Sequence, residues 1–343
     1  MRLLPRLFIL VPEMKVRNLR PLKFVVFFTL LFILQGCTSE PGVWKNEKIN
    51  GGVKADFHAR NEELIGYIKL NQIKKVKWSL SRELNQDNST EALVEHLSNR
   101  FNDNKYQLLD EYYLVNKYID ADTVKAAGSG INTHSLTFTE PAHEMYISTF
   151  LPKDGENKYL ISIVYSKLNY GWRVTGLEAE PYTFNGETCP ELFNRAKAAY
   201  NKGYLIDAVN TAALAVTCNQ PISVWHYAAQ DSLGDFYNRI LALANEKYKF
   251  PYVLNELPTK PRIFRVFNQT DERGSFPMIH YLTTIPLKDT VALKKENAQI
   301  RKIIGKIMPG IDKDKKYVLY SAFKEKPVST REVDRFEMTD KLQ

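Results

Sequence analysis

The chain has 343 residues, of which 44% are hydrophobic and 25% charged, with 16 Gly and 16 Pro. That length allows about two domains with real cores, and the composition excludes collagen-like and disordered classes. The formal charge is +8, but six of the 47 bases and one of the 39 acids fall in residues 1–36, so the remainder holds 41 and 38 and is nearly balanced. With no basic block, a nucleic-acid partner has no electrostatic motive.

From Met14 the chain runs through a basic stretch, an apolar run at residues 24–34, and then Gln35, Gly36 and Cys37. Eleven apolar residues are too few for a membrane-spanning helix, which takes about 20, but they suit a signal-peptide core. An uncleaved anchor is the alternative, and the short run disfavours it. Leu34-Gln35-Gly36-Cys37 resembles the lipobox of bacterial lipoproteins. The resemblance implies removal of residues 1–36, with Met14 as the true start. It also implies palmitate-type acylation of Cys37 and a membrane-held body facing the periplasm or exterior of a bacterial cell envelope. Residues 37–56 are polar and without periodicity, and are expected to be a tether.

From Asn61 apolar residues recur at helical steps (Leu64, Ile65, Ile68, Ile73, Val76, Leu80), and a second helix follows Ser89 or Thr90 with Leu93, Val94, Leu97 and Phe101. Beyond a Gly-containing passage the period falls to two. Residues 145–151, 159–167 and 171–177 are expected to be antiparallel strands joined by turns at Pro152-Lys153-Asp154-Gly155 and Asn169-Tyr170-Gly171. Ile161, Ile163 and Tyr165 share one face and Leu160 and Val164 the other, and neither face is obviously wet. The LSREL helix end, the STEALVEHL helix and the closing hairpin YLISIVYSKLNYGWRVTGLEA make the chain from about Asn61 to Pro181 similar to the cystatin-like α+β cone of the ketosteroid isomerase and nuclear transport factor superfamily, with the domain expected to span 57–185. That resemblance implies a fold and at most a pocket, because the superfamily holds enzymes and non-catalytic modules alike.

Residues 186–250 are expected to be helical. Their centre, 189–218, reads as a hairpin turning at Gly203 and packed through Ala196, Ala199, Ala208, Ala212 and Ala215. It resembles a single tetratricopeptide unit, and no second copy is visible. Two arms of equal length about Gly203 would bring Cys189 and Cys218 level, so in an oxidising compartment they could form a disulfide or remain as two small buried thiols. In residues 251–326 the expected order is two strands (262–268, 276–285), an amphipathic helix (290–308) stopped by Pro309-Gly310, and a strand (316–323), a small α+β layer. Residues 327–343 are expected to be a solvated tail, which makes the whole chain α+β in two lobes joined through the hairpin.

The chemistry is quieter. No His pair stands at metal-ligand spacing, and His143-Glu144 lacks the second His of a zinc helix. His280, inside an expected strand, reads as a half-buried packing residue. Gly128-Ser129-Gly130 lacks the strand and helix a phosphate loop needs. The Asp120/Asp122 and Asp312/Asp314 pairs read as solvated loop acids. No catalytic residue, metal or cofactor is assigned. Trp78, Tyr112, Tyr113 and Trp172 are candidates for a pocket mouth or for core. The expectation is a lipid-anchored, non-catalytic envelope module that binds a protein or a small apolar ligand. The alternative is a hydrolase or isomerase using a pocket in the cone.

Overall fold

A computed structural model describes residues 41–86, 89–103, 105–116, 122–125, 130–138, 142–328 and 332–342. The expected signal peptide and Cys37 lie outside the described residues.

Structure begins earlier than the sequence suggests. Strand β1 (Gly42–Lys45) pairs with a later strand, and Asn50 caps helix α1 (Gly51–Lys69), its side chain accepting from the Gly52 N–H at 2.9 Å. Most of the expected tether is therefore folded. The signal was weak because β1 finds its partner some 70 residues away, at Val115, and because the first turn of α1 is glycine-containing and exposed. Asn61 does not cap a helix; it lies inside α1, buried, and donates to Ser148 Oγ at 2.7 Å. Short helices α2 (Ile73–Ser79) and α3 (Arg82–Gln86) and helix α4 (Thr90–Asp103) follow.

Strand β2 (Tyr106–Val115) had no counterpart in the sequence reading. After β3 (Asp122–Lys125) and β4 (His134–Phe138) come the three expected strands, β5 (Glu144–Pro152), β6 (Lys158–Leu168) and β7 (Gly171–Phe184), and then a short β8 (Glu187–Thr188). Sheet order is β1-β2-β5-β6-β7-β8, antiparallel throughout, and the sheet curls into a half-barrel. Both faces are buried. Ile161, Ile163 and Tyr165 join α1 and α4 through Phe57, Leu64, Ile68, Val94 and Leu97 on the concave side. Leu160 and Val164 meet the helical hairpin on the other side, which is why neither face of β6 looks wet in sequence.

The hairpin is helix α5 (Cys189–Asn201) and helix α6 (Leu205–Thr217). Glu191 accepts from the Thr188 N–H at 2.8 Å at its start, and Gly203 turns it with φ 78°, a conformation a side chain would strain. Buried Ala196, Ala199, Ala208, Ala212 and Ala215 let the helices close. The next stretch is a strand first, β9 (Trp225–Tyr227), completing a small β3-β4-β9 sheet, and then helix α7 (Gln230–Lys247).

The C-terminal lobe carries β10 (Tyr252–Val253), β11 (Arg262–Asp271), β12 (Gly274–Leu282), helix α8 (Thr290–Ile307), β13 (Tyr317–Phe323) and β14 (Arg335–Lys341). Its sheet order is β10-β11-β12-β13-β14, with α8 making the crossover between parallel β12 and β13. Ile300, Ile304 and Met308 pack onto Ile279, Tyr281, Val318 and Tyr320. The expected tail is instead an edge strand over much of its length. Its residues alternate exposed and half-buried, so its pairing with β13 adds backbone bonds more than apolar burial.

Candidate functional site

The concave face of the half-barrel is where a cone-type pocket would lie, and it is filled. Phe57 of α1 stacks on Tyr146 (centroids 4.0 Å apart, planes 7° from parallel), meets Trp172 edge-on at 4.8 Å and leans on Tyr165 at 5.4 Å. Burying such a ring contributes about 1.5–3 kcal/mol, so the occupant is a structural plug.

The four expected mouth residues do not assemble. Tyr113 and Trp172 pack on the concave core. Tyr112, next in β2, points through the opposite face into the core beneath the hairpin and is 1% exposed, as strand alternation requires. Trp78 is 77% exposed on α2 and lines nothing.

Sequence reasoning passed over the acid beside them. Glu111 shares the inward face with Tyr113, and its side chain is 3% exposed. Tyr146 Oη donates to it at 2.5 Å, His58 Nε2 lies at 2.7 Å and Lys54 Nζ at 3.1 Å. Burial pushes this carboxyl up, but the bonds from Tyr146, His58 and Lys54 outweigh it and hold the group below its ordinary range. Beside it Asp110 accepts from Asn46 Nδ2 at 2.8 Å and pairs with Lys45 at 3.0 Å. The available signal was an acid at an inward position of a strand. A His-carboxylate pair is what general-base chemistry uses. Here Glu111 is buried while the His58 side chain is about half exposed, and the carboxylate is held by donors that clamp α1 and β5 to β2; Glu111 is the hydrogen-bond partner His58 has among the described residues.

The two cysteines reach the same end of the hairpin, as equal arms predict, and both are buried. They stand as two small buried thiols, one of the two states the sequence leaves open. Cys218, at the end of α6, donates its Sγ–H to the Leu214 carbonyl at 3.3 Å. Burial pushes the Cys189 thiol up to about 12 and raises Cys218 as well, which leaves little thiolate for exchange near neutral pH. His280 packs among Phe264, Phe267 and Phe323, in line with the sequence reading. No cluster of three or more His, Cys, Asp or Glu side chains among the described residues is arranged to hold a metal ion.

A partly open cavity lies elsewhere, at the meeting of half-barrel, hairpin and C-terminal lobe. A cavity of about 300 Å³ is walled there by Asn185, Lys202, Asn210, Thr211, Asn268 and Asp314, among others. Cross-lobe bonds close it. Asn185 mimics a strand, donating Nδ2 to the Ser275 carbonyl at 2.8 Å and accepting from its N–H at 2.7 Å. Gly274 allows that approach: a Cβ there would lie 2.7 Å from Asn185 Oδ1. Lys316 reaches Glu156 at 2.8 Å, Lys315 reaches Asp207 at 2.6 Å, and Asn268 Nδ2 donates to the Asn210 carbonyl at 2.6 Å. Asn210 itself is buried with Nδ2 unpartnered. The wall mixes amides, a hydroxyl and both signs of charge with Ala198, Leu214, Phe276 and Pro277, a lining for a small molecule that has both polar and apolar groups. Set beside known proteins, the chain matches no family model, no curated protein and no solved structure.

Proposed function

We propose that this chain is a lipid-anchored protein of the bacterial cell envelope that works by non-catalytic binding, with a small ligand bearing both polar and apolar groups taken at the junction of its three lobes. The anchor rests on the lipobox-like sequence at Cys37. The binding reading rests on one observation above the others: the concave face is plugged by Phe57, whereas a partly open cavity of mixed polar and apolar lining takes its walls from all three lobes. A ligand there would bond to all of them at once and fix their arrangement. The alternative, a hydrolase or isomerase inside the cone, has no room beside Phe57 and would need Glu111 released from its donors.

The test is thermal denaturation of the full chain against amino acids, short peptides and small dicarboxylates, in parallel with Thr211→Trp, which fills the cavity. A compound that raises the midpoint of the parent and leaves Thr211→Trp unmoved supports the reading. Equal shifts in both proteins, or none, reject it.

A further inference from the structure

Most of the charged side chains that line the junction cavity are already paired. Lys316 reaches Glu156, Lys315 reaches Asp207, and Arg195 is held by Glu187 at 2.5 Å. The Lys202 ammonium and the Asp314 carboxylate are the remainder. Both line the cavity, both are exposed, and neither has an ion pair or a side-chain hydrogen bond among the described residues. Beyond its internal pairs, the wall therefore offers one cation and one anion.

The hairpin places these two charges at the same end. Along α5 the wall residues are Arg195, Ala198 and Ala199, with Lys202 just past the last turn, and along α6 they are Asp207, Asn210, Thr211 and Leu214. Each set keeps the three- and four-residue steps of a single helix face. Because the arms run antiparallel, Lys202 and Asp207 lie at the Gly203 turn, while Arg195 and Leu214 lie about 10 Å away along the helix axes. Asp314 belongs to the turn end. Its neighbour Lys315 bonds Asp207 and the Gly310 carbonyl, the latter at 3.0 Å. Gly310 in turn is pressed so close to the hairpin turn that a Cβ there would lie 2.5 Å from Tyr204. Asp314 itself has φ 54°, so the loop bends at this residue.

Away from the charged end, the wall gives Ala198 in the middle of α5 and Leu214 at the far end of α6, with Phe276 and Pro277 contributed by β12. A ligand that meets both free charges at one end and still covers this apolar wall carries an ammonium and a carboxylate close together, with an apolar group beyond them. An α-amino acid has that layout, because both charges sit on one carbon. A dipeptide does not, since its termini stand about 7 Å apart at full extension. A dicarboxylate would set a like charge against Asp314.

We propose that the junction cavity binds a free α-amino acid with an apolar side chain, its carboxylate on Lys202, its ammonium on Asp314 and its side chain directed toward Leu214 and Phe276. This rests on the reading of the junction as the binding site and names the class of ligand that site takes.

The experiment is calorimetric titration of the full chain with leucine, methionine and phenylalanine, followed by the amide and the N-acetyl derivative of the one that binds best. The amide has lost the negative charge and the N-acetyl form the positive one, so each should bind about fivefold more weakly than the free amino acid. Lys202→Gln should weaken the amino acid by a similar factor and leave the amide unchanged. Asp314→Asn should do the same and leave the N-acetyl form unchanged. Both residues are exposed and outside helices and strands, so these variants keep the fold. Equal binding of the amino acid, its amide and its N-acetyl form overturns the inference and leaves the cavity as a site, and so does a dipeptide that binds more tightly than the free amino acids. A ligand from the wider thermal screen that Thr211→Trp abolishes, with none of the three amino acids binding, overturns the class named here while the junction stands. If nothing binds, the junction reading falls and this inference with it.

Discussion

Two buried glutamates, one in each sheet-bearing lobe, show how differently the same side chain can be used. Glu111, on the concave face, meets Tyr146, His58 and Lys54. Glu296, on the inner face of α8, is 3% exposed, and neither of its oxygens has a partner among the described residues. The nearby Tyr281 hydroxyl is likewise unpartnered, and its pKa is raised by burial first and then by the Glu296 charge. A buried carboxylate stabilises a fold only when its lost hydration is replaced. Glu111 is a clamp, and Glu296 is a polar group left in an apolar layer.

Removal of each acid should therefore move stability in opposite directions. Glu111→Leu orphans the Tyr146 hydroxyl and leaves the Lys54 ammonium only its 3.4 Å contact with exposed Glu47, and should lower stability by about 3 kcal/mol in urea denaturation. A loss under about 1 kcal/mol would mean that the clamp is ornamental and would break the contrast.

Acid titration separates the lobes by pH window. Burial, aided by Arg265 and Arg335, lowers His280 to about 4 from an ordinary 6.5. The unfolded chain then binds more protons than the folded one between those values, so stability falls as pH drops through that window and is unaffected above it. Glu111, depressed from its ordinary value near 4.5, contributes fully above that pH and loses its contribution only below it. Between pH 7 and 4.5 the loss from His280 should reach about 2 kcal/mol, less than the full shift implies because the ring is half-buried. His96 and His134 are lowered too, so the measurement is the difference between the parent and His280→Leu. An unchanged acid loss in that variant removes His280 from the account.

Glu296→Leu tests the other side of the contrast. It should be neutral or raise stability by about 1–2 kcal/mol, since it removes an unpartnered buried carboxylate and keeps most of the volume. A clear loss would show that Glu296 has a role in the lobe's polar interior, which also holds the unpartnered Tyr281 and Tyr320 hydroxyls.

What was legible in sequence follows from how local the signal is. The three strands β5, β6 and β7, the hairpin turning at Gly203 and helix α8 ending at Pro309-Gly310 all carry their period and their stop within a few residues, and all were readable. Strands β1 and β2 gain their burial or bonding from segments distant in sequence, so a polar string such as residues 42–56 reads as a tether. The pocket residues failed for a related reason. Tyr112 and Tyr113 read alike as aromatics, but neighbours in a strand face opposite sides. The junction cavity was invisible because its walls come from residues as far apart as Asn185 and Asp314.

The smallest expected effect bears on whether the segment once taken for a tether belongs to the clamp. Asn50 caps α1, and Lys54, in the first turn behind it, is the residue that reaches Glu111. Asn50→Ala should lower stability by about 1 kcal/mol through the lost cap alone. If the first turn is held in place partly through Lys54 and Glu111, the same change should matter less once Glu111 is already Leu, because a frayed turn then loses only the exposed pair of Lys54 with Glu47. A double-mutant cycle with Glu111→Leu should therefore show a coupling of about 0.5 kcal/mol or more. Strict additivity would mean that cap and clamp act independently, and that residues 46–54 are held to the sheet by β1 and the Asn46 contacts alone.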